Sequence, residues 1–246
     1  MSVFAKLTMT ELKLNAREPV TAFFTLLFPT ILVVILGSIP AFREPSDDLG
    51  GIRVIDVYVG ISVLLTLAML GLQVVPMVLA TYREKGILRR LGTTPVRPVL
   101  LLAAQLAAAL LTAVVSVTLA LAAGRILFDV PLPAQFAGFV VAFLLSALGV
   151  FSIGLFIAAL VPTGKAGNSI GTLLFFPLMF FAGLWTPREV MPDVLQRISD
   201  FTPLGAGERA VHEAMTGHWP SALSATVLVG YLVVFGLAAS RLFRWS

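Results

Sequence analysis

The chain has 246 residues, of which 58% are hydrophobic and 12% charged, with a formal net charge of +4 and no cysteine. A water-soluble domain carries about a quarter charged residues, so lipid must cover much of this surface, as a mean hydropathy of +0.98 also implies. Disulfides, thiolate nucleophiles and cysteine metal sites are excluded, and the basic balance reads as positive charge gathered on one membrane face, not as a nucleic-acid footprint.

In chain order, Ser2–Glu18 comes first. It places Val3, Phe4, Leu7 and Leu14 on one helical face and Lys6, Lys13 and Arg17 on another. This pattern predicts an interfacial amphipathic helix lying flat in the headgroup layer, apolar side down, and ended by Pro19. A solvated tail is the alternative. Crossing about 30 Å of hydrocarbon takes roughly 20 helical residues. Apolar runs of that order lie at residues 20–40, 56–81, 98–124, 135–161, 169–185 and 221–240. The first is too long for a signal-peptide core and reads as a retained span. No Asp, Glu, Lys, Arg or His falls within the core of any run, Asp56 sitting at an end. Pro29, Pro76 and Pro177 lie inside them and predict kinks.

Between the second and third runs, the segment from Tyr82 to Arg97 holds five of the seventeen basic residues. Tyr82–Leu91 is predicted to continue the second span as a short amphipathic helix. Ile87, Leu88 and Leu91 share one side of it; Arg83 and Arg90 share a neighbouring side beside Glu84 and Lys85. Gly92 can end the helix and Thr94-Pro95 can turn the chain back. Two readings fit: anchoring on anionic lipid, or a docking lever for a soluble partner. Further on, Pro187–His218 shows Val190, Val194, Leu195 and Ile198 at helical spacing, then Ala206, Ala210, Val211 and Ala214, with Thr202-Pro-Leu-Gly between the sets. Two short helices at the outer surface are expected there.

Placing both termini in the cytoplasm puts eleven basic residues inside against six outside, which is the bias that sets topology. Trp185, Trp219 and Trp245 then fall at span ends. The expected fold is an all-α membrane protein: six transmembrane helices, an N-terminal interfacial helix and short outer helices before the last span. Residues 1–246 form one membrane domain with no ATPase domain on the chain.

Chemistry is sparse. With no Asp, Glu, Lys, Arg or His at depth, an ion-coupled carrier is disfavoured, and no base is placed to activate a serine. His212 and His218, near Glu208 and Glu213, read as solvated histidines and not as a metal set. Thr163-Gly-Lys-Ala lacks the first glycine and the hydroxyl residue of a phosphate loop, Ala159 and Ala166 standing there instead. No catalytic residue, metal or cofactor is expected on this chain. Gln73 and Gln105 are the conspicuous polar side chains of the spans, and either line a substrate path or make an interhelical hydrogen bond. Ala104-x-x-x-Ala108 and Gly167-x-x-x-Gly171 would permit close helix contact.

At the basic loop the chain resembles the membrane subunits of ABC-2 type ATP-binding-cassette exporters. Glu84-Lys-Gly86-Ile-Leu88-Arg-Arg-Leu91 with Thr94-Pro95 matches their Glu-x-Gly-x-Leu-x-x-Leu stretch and Thr-Pro turn. The likeness extends to Arg17-Glu-Pro19 ahead of Phe23–Pro29, to Phe175-Phe176-Pro177 through Gly183, and to Thr202-Pro203-Leu204, all in matching order. It is nearest in feel to the daunorubicin and multidrug resistance permeases. The resemblance implies a permease without its own ATPase, paired with a second copy or a close relative and seated on two ATPase subunits that bind ATP and Mg. It implies that Arg83, Glu84, Lys85, Gly86, Leu88, Arg89, Arg90 and Leu91 belong to the coupling helix that docks on the ATPase. It implies export of a lipophilic or amphipathic small molecule across a plasma membrane, in the bacterial case the inner membrane. The alternatives are export of a polysaccharide or lipid-linked glycan, and a non-transporting membrane anchor for a soluble partner.

Overall fold

The computed structural model describes residues 3–87, 90 and 98–242, and among them the chain is helical with no strand. Five helices are long and apolar enough to cross a membrane. An N-terminal helix, α1 (Val3–Arg17), precedes them. They are α2 (Pro19–Gly37), α3 (Val54–Glu84), α4 (Val99–Phe128) and α5 (Phe136–Leu160), with the last, α9, introduced below. These five coincide with the runs predicted at 20–40, 56–81, 98–124, 135–161 and 221–240.

The run predicted at 169–185 forms α6 (Gly164–Phe181), an 18-residue helix displaced towards the N-terminus. Its start is set by Thr163, whose Oγ1 accepts from the Ala166 amide at 3.2 Å, so a polar first turn with Lys165 and Asn168 joins the apolar run. Its end is set just before Gly183, whose φ of +87° turns the chain. Two short helices, α7 (Asp193–Asp200) and α8 (Pro203–Met215), follow, and α9 (Ala222–Leu242) closes the bundle.

α3 lies at the centre, buried along most of its length, while α2 and α9 leave broad apolar surface bare. Its backbone departs from α geometry at Met69–Val74, a π turn, and α2 does the same at Phe23–Leu27. The cause is the proline that follows each: Pro76 and Pro29 lack an N–H and crowd the carbonyl four residues back, so the preceding turn widens. Pro177 produces no such turn in α6.

Around the π turn of α3 the helices touch backbone to backbone. A Cβ added at Gly171 of α6 would overlap the Leu72 carbonyl oxygen, and one at Gly154 of α5 would overlap that of Gly71. Gly167, one turn before Gly171, would meet the Pro76 oxygen at 2.9 Å. The predicted Gly167-x-x-x-Gly171 pair is thus a helix crossing. Ala104 and Ala108 are likewise fully buried.

The face of α1 turned to the protein carries Thr8 and Glu11, both buried, while Val3, Phe4 and Leu14 are exposed. Leu7 of the apolar stripe packs on the core, the rest of it points away from the bundle, and a hydrogen-bonded contact on α3, described below, holds the inward side. Of the two outer helices, α7 is exposed or half-buried apart from Ser199, whereas α8 is buried along most of its length. Gly207 packs on Ser146 and Leu64, and Ser146 lies ten residues into α5, about 15 Å along it. At the hairpin tip Tyr231 of α9 donates to the Phe201 carbonyl at 3.0 Å. Among the described residues, therefore, the helical interior is not free of ionisable groups: Glu208 of α8 sits inside it, 4% exposed.

Candidate coupling site at the basic end

The ends of α1, α3, α5 and α6 that carry Lys13, Arg17, Arg83, Lys85 and Lys165 meet at one end of the bundle, here the basic end. Three side chains of the last turn of α3 tie them together. Arg83 donates from Nη1 to the Ala158 and Val161 carbonyls at 2.8 and 3.0 Å. These oxygens belong to the last turn and C-cap of α5, where carbonyls have no partner within the helix, and a cation there also opposes the helix dipole. An arginine stays charged even when partly buried. Glu84 accepts from the Gly164 amide at 3.1 Å through Oε2, so the first turn of α6 is held by Thr163 from within and by Glu84 from across the bundle. Tyr82 donates to Glu11 Oε2 at 2.7 Å and fastens α1.

This geometry changes the meaning of the acidic residue in the loop motif. Glu84 is engaged inside the chain, on a helix eighty residues away, and no spacing in the sequence signals that partner. α3 itself ends at Glu84, earlier than the continuous helix expected over Tyr82–Leu91: Lys85 caps it and Gly86 turns left-handed at φ +66°. The Arg90 amide then donates to the Gly86 carbonyl at 3.1 Å, so helical bonding resumes after the break. Leu88, Arg89 and Leu91 lie outside the described residues.

Glu11 sets a pH dependence. Burial raises its affinity for a proton, only partly opposed by the Tyr82 hydrogen bond. A carboxyl whose folded pKa lies above its free value supports docking most fully at low pH, and this support is lost as pH rises through the folded pKa. Amide exchange along α1 should therefore slow on acidification, after correction for intrinsic rates, and the trend should vanish in Glu11→Gln. A helix that loosens in acid would contradict this. Tyr82→Phe should loosen α1 most at pH values where Glu11 is ionised, since it strands a buried carboxylate at about 1–3 kcal/mol.

The two glutamines separate. Gln73 lies in the π turn of α3 and lines a cleft of about 590 Å³ between α2, α3 and α6, with Phe24, Phe28, Phe175 and Trp185. Gln105 is fully buried in α4, and its side-chain amide has no hydrogen-bond partner among the described residues. It therefore faces no cleft, and the interhelical bond that was the other expectation for it is missing as well.

Comparison with known proteins agrees with this architecture. The family model described as ABC-2 type transporter matches residues 2–216. A protein of Bacillus subtilis (strain 168) named as transport permease YvfS is 24% identical over 246 residues, covering 99% of this chain and 98% of the relative. The daunorubicin resistance ABC transporter permease protein DrrB1 of Streptomyces coeruleorubidus is 31% identical over 110 residues, 44% of this chain and 36% of that protein. With a family match over most of its length and five helices able to cross a bilayer, the chain belongs to the ABC-2 type transporters, as a multi-pass membrane permease.

Proposed function

We propose that this permease is the membrane subunit of an ATP-driven exporter that moves a lipophilic or amphipathic compound out of a bacterial cell. ATP and Mg are held by separate ATPase subunits, one beneath each of two permease copies. The positive-inside rule puts the basic end in the cytoplasm. Counting α6 as the sixth crossing, both termini lie there, and the exposed Val3, Phe4 and Leu14 of α1 turn towards lipid.

The observation that carries this reading is the double tie at the root of the 82–91 segment, Arg83 on the end of α5 and Glu84 on the start of α6. A movement imposed on that segment pulls on three helix ends at once. α6 in turn touches the π turn of α3 through Gly171, beside Gln73 and the aromatic cleft. Closure of the ATPases at the basic end is thereby carried to the cleft, which we assign to the substrate path between this chain and its second copy.

The test is co-reconstitution of the permease with its ATPase in proteoliposomes, with daunorubicin fluorescence as the readout. ATP-dependent movement of the drug is expected, and it should stop when ATP is replaced by a non-hydrolysable analogue. Flux driven by an ion gradient without the ATPase would replace this reading with a carrier. ATPase binding without flux of drug or glycan would leave an anchor.

A further inference from the structure

We propose that Glu189, Glu208 and His212 form a binding site for a divalent transition-metal ion of the zinc class at the end of the bundle opposite the coupling site. This does not depend on the export reading. Glu208 and His212 are one turn apart on α8 and so share a face, and Glu189 comes from the short turn Arg188–Val190. One ligand-type atom from each lies within 4.8 Å of the other two, with His212 Nδ1 4.0 Å from Glu189 Oε1. A tetrahedral zinc site needs roughly 3.4 Å between ligand atoms, which side-chain rotation alone can reach.

A second, independent observation points to a ligand. Glu208 is 4% exposed and makes no hydrogen bond or ion pair among the described residues, and Glu189 Oε2 is also buried without a partner. Two carboxyl groups held together in this way must share either a proton or a cation. The nearby guanidiniums bond to other carboxylates: Arg188 pairs with Asp200 and acts on Glu208 only through space, Arg209 pairs with Asp200 and Glu213, and Arg53 with Asp56.

Access and ligand type agree. Glu208 and His212 line a cleft of about 510 Å³ between α3 and α8, together with Asp56 and Thr216. An imidazole with two carboxylates suits zinc with water in the fourth place. Calcium would want six or more oxygens. His218, which the sequence set beside His212, is exposed and near Thr216, outside this group. A bound ion would pin the Arg188–Val190 turn to α8 and so stiffen the hairpin.

The test uses the full-length protein in lipid nanodiscs, stripped with EDTA and then exposed to zinc chloride, with bound zinc per chain measured after desalting. One ion per chain is expected, with a higher melting temperature, and cobalt should give the intense visible absorption of a tetrahedral site. His212→Ala and Glu208→Gln should lose affinity by more than the roughly 10–100-fold that follows loss of an outer-shell partner. His218→Ala should bind as the unmodified protein does. Glu189→Gln, on the partly exposed turn, gives the same reading without altering the buried helix. Substoichiometric uptake, or equal uptake by Glu189→Gln and the unmodified protein, overturns the site.

Discussion

Gly171→Leu should abolish accumulation of the folded permease, because the new side chain must start inside the Leu72 carbonyl oxygen. Inserting methylenes into a packed core costs about 1–3 kcal/mol when side chains can adjust. Here the obstacle is backbone on both sides, so α6 must leave α3 and the loss should reach or exceed that upper figure. Gly154→Leu should act alike, since it opposes Gly71 from α5. Gly230→Ala in α9 is the control, with nothing near its added methyl; it should be neutral or slightly stabilising through helix propensity. The measurement is the monodisperse peak and melting temperature of detergent-extracted protein. A well-folded Gly171→Leu protein would mean that the α3–α6 crossing is looser than described.

Glu84→Lys should abolish ATP-dependent transport while the protein stays folded in the membrane. A carboxylate at an exposed helix N-terminus contributes roughly 0.3–1 kcal/mol, and reversing its sign cannot unfold a bundle of this size. What it removes is the tie between the last turn of α3 and the first turn of α6, and it sets a second cation beside Lys165. Glu84→Gln keeps an oxygen acceptor for the Gly164 amide and should retain most of the flux. Arg83→Ala should be harsher on stability, since it strands the Ala158 and Val161 carbonyls at about 1–3 kcal/mol. Comparing flux with membrane level across the three variants separates transmission from folding. Full transport by Glu84→Lys would remove this residue from the coupling role.

A consequence for the loop motif follows. Its acidic residue, though exposed, is tied to the first turn of α6, and the basic residues around it divide between internal ties and the surface. Arg83 is spent on α5, whereas Lys85 is exposed and Arg90 lies beyond the break at Gly86. Contact with an ATPase is accordingly better sought at Lys85 and beyond than at Glu84.

Hydropathy, charge bias and helix punctuation were legible from residues alone, because each depends on what a segment requires of its surroundings. A run of about twenty apolar residues must be helical in lipid whatever its neighbours, and the Thr202-Pro203 break between two short helices needs no tertiary information either. The identity of each partner was decided only by packing. Glu208 lies in a polar stretch of sequence, yet α8 is inserted between α3, α5, α6 and α9, and its carboxyl is buried. Gln105 resembled Gln73 in sequence, but the π turn brings one to a cleft and the crossing of α4 closes the other away. α1 presents Glu11 inward to a hydrogen bond from Tyr82, a contact between residues seventy-one positions apart. Periodicity records the faces of a helix, whereas the choice of which face meets protein is made by groups distant in the chain.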